Sequence, residues 1–140
     1  MEDVPSLAES ILEGIADAVI YADRSGTILR WNGAAAALFG YSASEALGQN
    51  LDLIIPEHPR APHWRGFEAA MENGVARLQG RPTLTRATHK AGGKLYVEMT
   101  FALVKSRVDG PATGAVAVAR DVTERVERER AASRRDAPKT

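Results

Sequence analysis

The amino-acid sequence predicts an α+β domain in which short helices cover one face of a five-stranded antiparallel sheet. Two strand-like segments lie near the start of the chain, and three more lie in its second half. Between them the sequence is rich in helix formers and in helix-capping residues. Strands at both ends of a chain around a helical middle are typical of this class. The 140 residues suffice for one such domain.

The first predicted element is an amphipathic helix at about residues 6–14. Ser6 and Glu9 have the spacing of a capping box. The apolar residues that follow recur at helical intervals, namely Leu7, Ile11 and Leu12. We expect residues 1–15 to form an N-terminal amphipathic helix. Because its apolar side needs a surface to cover, a homodimer is expected as well.

A β-hairpin is predicted next. Residues 17–23 (DAVIYAD) form an apolar run with β-branched residues, and residues 27–31 (TILRW) form a second strand-like run. The turn between them contains Gly26, which tolerates the backbone conformations that tight turns need. Two short strands joined in this way are predicted to pair directly.

The middle of the chain is predicted to be helical. An alanine-rich segment after Asn32 is stopped by Gly40, and Ser42 with Glu45 forms a second capping box. A longer helix follows Pro62 and ends at Asn73–Gly74. The residues expected on its inward face are His63, Phe67, Ala70 and Met71.

Three further strands are predicted at residues 82–90, 94–105 and 113–122. The second of them alternates, which places one set of apolar side chains on one face: Leu95, Val97, Met99, Phe101 and Leu103. The domain core is therefore expected at residues 16–122. Residues 123–140 are expected to form a charged linker helix with a disordered end.

Composition narrows the classes of function. Acidic and basic residues balance at 18 each, which disfavours a nucleic-acid partner. The chain has no cysteine, so disulfides, thiol catalysis and cysteine-ligated metals are excluded. No apolar run reaches the length of a membrane span, and the N-terminus lacks the features of a signal peptide, so a cytoplasmic protein is expected. No hydrolase, Walker, zincin or Rossmann motif occurs, so no enzyme is predicted.

Four segments in order resemble motifs of the PAS family of sensor domains. Residues 26–32 (GTILRWN) match its G-x-I-x-x-x-N hairpin, and residues 40–48 (GYSASEALG) match its G-Y-S-x-x-E-x-x-G segment. Residues 90–93 (KAGG) stand where the family has K-D-G, and residues 121–125 (DVTER) match its D-[IV]-T-E-R. The resemblance covers about residues 7–126. It implies a sensor whose last strand passes a signal to the helix that follows, with Asp121 or Thr123 as the cap of that helix.

The resemblance leaves several ligands open, because PAS domains bind haem, flavin, small metabolites or nothing. The missing cysteine removes the blue-light flavin photoadduct and a covalently held chromophore. Non-covalent FAD or FMN remains possible. A domain without a cofactor would act as a dimerisation and signal-transduction module.

Haem b is the ligand that one helix favours. Residues 56–63 (PEHPRAPH) resemble the P-x-x-x-R-x-x-H that opens the haem helix of oxygen-sensing PAS histidine kinases. The resemblance makes His63 the ligand of the iron, and the sensed signal a diatomic gas: O2, CO or NO. A neutral imidazole is a good iron ligand, and the other face of haem then stays open to gas.

The same resemblance assigns other contacts around the haem. Arg77 falls at a propionate contact, and Thr83 replaces the distal arginine that holds bound oxygen, so that Arg81 or Arg86 would have to substitute for it. Met99 is a possible sixth ligand of the iron. The apolar residues expected beside the haem are Phe67, Leu78, Met99 and Phe101. The alternative for His63 and Met99 is an ordinary core position.

Three other side chains lie near this site in sequence or carry the same chemistry. His58 and His89 are expected to be solvent-exposed, the first in a proline-flanked loop and the second beside a glycine turn. Trp64, next to His63, is expected to have a packing role.

Overall fold

The computed structural model describes residues 4–58, 60–74 and 81–135. The predicted disordered end at 136–140 lies outside these residues. The described helices and strands follow in chain order: α1 (Leu7–Gly14), β1 (Ala18–Asp23), β2 (Ile28–Trp31), α2 (Gly33–Phe39), α3 (Ala43–Ala46), α4 (Arg60–Asn73), β3 (Thr83–Thr88), β4 (Lys94–Lys105), β5 (Ala112–Asp121) and α5 (Thr123–Arg135). A 3₁₀ turn at Leu51–Leu53 precedes α4.

The five strands form one antiparallel sheet in the order β2-β1-β5-β4-β3, which confirms the predicted fold class. The first and last strands of the chain, β1 and β5, therefore lie side by side in it. Residues opposite each other in such a ladder share a face. One such row crosses four strands: Ala18, Ala119, Met99 and Thr83.

The main core lies between the sheet and α2, α3 and the 3₁₀ turn. The alternation predicted for β4 is confirmed, because Val97 and Met99 are buried while Leu95 and Phe101 pack against the core. The largest fully buried side chains are Phe39, Ile20, Ile28 and Val97. Burial of each such side chain stabilises the fold by about 1.5–3 kcal/mol.

Asn32 connects α1, β1 and α2. Its side chain is buried, and Oδ1 accepts hydrogen bonds from the backbone N–H of Val19 and of Ala35, both at 2.9 Å. Its Nδ2 donates to backbone carbonyls that follow or end α1, namely Leu12, Ile15 and Asp17. One amide side chain thus satisfies backbone groups at the ends of three elements.

Polar contacts and the half-buried side chain of Leu12 lie on the side of α1 that faces the domain. Ser6 accepts from the N–H of Glu9, but the Glu9 carboxylate pairs with Arg30 of β2 at 2.9 Å instead of completing the predicted capping box. The apolar residues Leu7 and Ile11 point outward, with 77% and 53% of their surface exposed. The described part of the chain therefore leaves the apolar side of α1 uncovered.

Two elements differ from the prediction. Helix α4 begins at Arg60, before Pro62, because the first turn of a helix needs no intrahelical N–H partner and tolerates proline. Helix α5 packs on the other face of the sheet from the main core. Its contact there is a separate apolar cluster of Tyr96, Val122 and Val126. Alternation along β4 explains this placement, since Tyr96 and Val97 must point to opposite faces.

Candidate functional site

Helix α4 is anchored at its first turns to the 3₁₀ turn and to the β1–β2 hairpin. The indole Nε1–H of Trp64 donates to Oδ1 of Asp52 at 2.8 Å. The indole ring lies on Gly26, whose φ of +82° only glycine adopts readily, and a Cβ added there would sit 2.1 Å from the ring. The Arg60 guanidinium donates to the carbonyls of Ile55 and Asp52 at 3.1 and 3.3 Å. The packing role predicted for Trp64 is confirmed.

This anchoring places His63 in a cluster of aromatic rings, where it is half-buried. Its ring centroid lies 4.7 Å from that of Trp64 in an edge-on arrangement, and 6.1 Å from that of Phe67. Its Nδ1 is buried and has no hydrogen-bond partner among the described residues. Burial lowers the pKa of His63, and the carboxylate of Asp52 opposes that shift in part. The net shift of the pKa favours the neutral imidazole, which is the form that ligates metals.

These features fit a haem better than a free metal ion. The described residues contain no group of three or more His, Cys, Asp or Glu side chains that could hold an ion. A single histidine would suffice to hold iron whose other, protein-independent ligands are the nitrogens of a porphyrin. The inward face of α4 also stays half-buried at His63 and Phe67, and the main core includes no α4 residue among those described. An occupant beside these two residues would complete their burial.

Three of the other predicted site residues share the sheet face on which the main core lies. Thr83 and Met99 are directly opposite each other in β3 and β4, and Phe101 lies two residues further along β4. Met99 is buried in the core, whereas Thr83 and Phe101 are half-buried. The Thr83 hydroxyl donates to the backbone carbonyl of Arg81 at 3.3 Å. Thr83, Met99 and Phe101 are thus neighbours on this face of the sheet.

The remaining predicted contacts fall elsewhere. Arg77 and Leu78 lie outside the described residues. Arg86 cannot replace the distal arginine, because it faces the other side of the sheet, with its guanidinium 6.0 Å from the ring centre of Tyr96. Arg81 is exposed at the start of β3.

The two other histidines behave differently from each other. His58 is exposed, as predicted. The prediction for His89 is wrong: it is half-buried, and its ring lies where a Cβ on Gly40 would come within 2.5 Å of it. Its Nδ1 accepts a hydrogen bond from the N–H of Ala91 at 3.0 Å. Packing across the end of α2 covers part of the ring, and no local pattern indicates this contact.

Sequence reasoning missed Asp52. This residue holds Trp64, accepts from Arg60 through its backbone carbonyl, and supplies the charge that acts on His63. Its only local signal is its place after Asn50, whose side chain caps the 3₁₀ turn. An aspartate at such a turn is common and points to no partner.

A sequence profile of the PAS domain matches residues 16–124. The chain belongs to the PAS domain family. The predicted resemblance is therefore confirmed, and this PAS domain is a sensory module. No helix within the described ranges is long and apolar enough to span a membrane.

Relatives of this PAS domain include two sensor proteins. DosP of Escherichia coli, named an oxygen sensor protein, is 32% identical over 83 residues, which are 59% of this chain and 10% of DosP. FixL of Bradyrhizobium diazoefficiens, named a sensor protein, is 46% identical over 54 residues, which are 39% of this chain and 11% of FixL. The chain thus spans about a tenth of the length of these curated relatives.

The solved structures support the same fold. The PAS domain of a Colwellia psychrerythraea protein is similar with a TM-score of 0.70 and 23% identity, over 82% of this chain and 93% of that one. Light-oxygen-voltage proteins are also among the similar structures. At such identities the Colwellia structure shows the fold alone.

Proposed function

We propose that this PAS domain binds haem b through His63 and senses a diatomic gas. The observation that carries the proposal is the half-buried His63, whose Nδ1 has no partner among the described residues, on a helix that opens like the haem helix of oxygen sensors. DosP is named an oxygen sensor protein, which supports a diatomic gas as the sensed signal. When bound, the haem supplies an iron with one face open to O2, CO or NO.

The residues of the chain have distinct tasks in this proposal. His63 holds the iron, and the Trp64–Asp52 bond keeps α4 in place while it does so. Phe67 and Phe101 would lie against the porphyrin, with Met99 beside them as core or as a sixth ligand. Thr83 offers a short, uncharged hydroxyl in place of a distal arginine, so bound oxygen would gain less stabilisation from this position.

The proposed output runs from the sheet to α5. Asp121 ends β5, and its Oδ1 accepts from both the backbone N–H and the hydroxyl of Thr123, at 2.9 and 2.6 Å. A ligand that binds one arrangement of the sheet more tightly than another would shift the position of α5 through this joint.

Haem titration followed by absorption spectroscopy tests the proposal. We expect a Soret band that saturates at one haem per chain and shifts when the reduced protein is exposed to carbon monoxide. His63→Ala should remove this band and leave the far-UV circular dichroism unchanged. His58→Ala is the matched control, since this exposed histidine lies just before α4. Stoichiometric haem in the His63→Ala variant would contradict the assignment.

Non-covalent flavin is a second candidate, favoured by the similarity to light-oxygen-voltage proteins. One of these, an RNA-binding receptor, is 27% identical over 90% of this chain with a TM-score of 0.68. Without cysteine, a bound flavin would report redox state and would form no photoadduct. The same absorption experiment separates the candidates, because flavin has two visible and near-ultraviolet bands and no Soret band.

We further propose a homodimer that buries the apolar side of α1. Leu7 and Ile11 are exposed in the single chain, while the opposite side of α1 is held by polar contacts. Exposed apolar side chains on an otherwise docked helix mark an interaction surface. We propose that the domain forms this homodimer whether or not it binds haem.

A further inference from the structure

Tyr96 of β4 holds the start of α5 against the sheet. The backbone N–H of Tyr96 donates to Oγ1 of Thr123 at 2.9 Å, and its carbonyl accepts from the N–H of Val122 at 2.8 Å. The Tyr96 ring packs with Val122 and Val126. The position of the first turns of α5 therefore depends on this residue.

Two guanidinium groups lie against the ring of Tyr96. Arg130 of α5 approaches to 4.8 Å from the ring centre. Arg86 of β3, which pairs with Tyr96 in the sheet, approaches to 6.0 Å. Each cation is attracted to the ring face. Two positive charges from two different elements thus lie at one side chain.

The described part of the chain does not neutralise these two charges. Neither Arg86 nor Arg130 forms an ion pair with a described carboxylate. The nearby acids Glu98 and Glu129 both lie within 4 Å of Arg125 instead, at 3.7 and 3.9 Å. Other arginines along the sheet do have carboxylate partners: Arg30 with Glu9, and Arg120 with Asp17.

We propose that Arg86 and Arg130 bind a phosphate group that fastens α5 to β3. A guanidinium presents paired N–H donors that match the oxygens of phosphate, and a phosphate dianion balances two positive charges. Bound between residues of two elements, the anion would link the output helix to the edge strand. The site lies on the opposite sheet face from His63, so it is independent of the haem proposal. Free phosphate and a phosphate ester offer the same oxygens.

Titration of the purified protein with inorganic phosphate, at an ionic strength held constant with sodium chloride, tests this site. We expect a saturable rise in the melting temperature and NMR shifts at the amides of Tyr96 and Arg130. Arg86→Gln and Arg130→Gln should each weaken the apparent affinity roughly ten-fold or more. Arg128→Gln is the matched control, because this arginine is exposed on α5 and has no described contact with Tyr96.

Two further arms complete the design. Ribose 5-phosphate is titrated beside inorganic phosphate: tighter binding of the ester identifies a phosphorylated small molecule, and equal binding identifies free phosphate. Arg130→Lys keeps the positive charge and the fold but lacks the paired N–H donors of a guanidinium. It should therefore bind phosphate more weakly than the parent protein and more tightly than Arg130→Gln. A response that sodium chloride alone reproduces, or that all variants including Arg128→Gln share equally, overturns the proposal.

Discussion

The indole of Trp64 donates a hydrogen bond to the carboxylate of Asp52 over 2.8 Å, and this bond joins α4 to the 3₁₀ turn before it. His63 is the residue just before Trp64, so the position of its imidazole depends on the same bond. The carboxylate also acts on His63 through its charge. The Trp64–Asp52 pair therefore contributes to the placement of the candidate iron ligand, and its carboxylate partly offsets the effect of burial on the pKa of His63.

Trp64→Phe should destabilise the domain by about 1 kcal/mol, since it removes a hydrogen bond to a charged group that is partly exposed. Urea unfolding of Trp64→Phe, Asp52→Ala and the double variant measures the coupling between them. We expect a coupling of about 1 kcal/mol, and weaker haem binding in both single variants. Additive effects would show that the two side chains do not act together.

Gly26→Ala should cost more stability than Gly92→Ala. Both glycines have positive φ, +82° and +93°, so each substitution carries a backbone strain of about 1 kcal/mol or more. Only at Gly26 would the new Cβ meet the ring of Trp64, at 2.1 Å, whereas Gly92 has open space. Thermal unfolding and tryptophan fluorescence compare the two. Equal losses of stability in the two variants would show that the Trp64 ring does not lie on the hairpin in solution.

Much of this fold could be predicted because its signals are local. The alternation along β4 depends only on period, and Gly40 ends α2 through a left-handed conformation that glycine accepts readily. The start of α4 was predicted too late, since the rule that proline breaks helices does not apply to the first turn. Local patterns thus predict elements well and their ends less well.

The site was predictable only in part, because its contacts are long-range. A motif resemblance pointed to His63, and the structure shows it half-buried, with a ring nitrogen that has no hydrogen-bond partner in the described part of the chain. No local pattern identifies the partners of Asp52 or the packing of His89 on Gly40, because each depends on which loops the fold brings together. The side of the sheet that α5 covers likewise follows from the burial of Tyr96 and not from α5 itself.

Asn32→Ala should lower the free energy of unfolding by about 2–4 kcal/mol, because it leaves buried backbone groups without partners. Asn32→Asp should cost at least as much: it keeps the acceptor for Val19 and Ala35 but turns a second oxygen toward three carbonyls. Chemical denaturation measures both. Hydrogen exchange should show faster opening of α1. A near-neutral Asn32→Asp would contradict this network.

Ile11→Glu should shift the protein toward monomer, because it places a charge on the exposed apolar side of α1. Leu7→Glu should do the same, and deletion of residues 1–14 should give the largest effect. Ser10→Glu is the control, since it adds the same charge elsewhere on α1. Sedimentation at several concentrations reports the state. An unchanged oligomeric state in the deletion variant would show that α1 is not part of the interface.

Glu45 should titrate below the ordinary range of glutamate. Lys90 lowers its pKa through a hydrogen bond, and the backbone N–H of Ser42 adds to the effect. Because the folded pKa is the lower one, this contribution to stability is complete above the ordinary value of 4.5 and is lost as the pH falls through the folded pKa. NMR titration of the carboxyl carbon measures the shift. Lys90→Gln should move the pKa of Glu45 back toward 4.5, while Lys94→Gln, at an exposed lysine of the same hairpin, should leave it in place. A pKa of Glu45 that is the same in both variants would mean that Lys90 does not hold this carboxylate in solution.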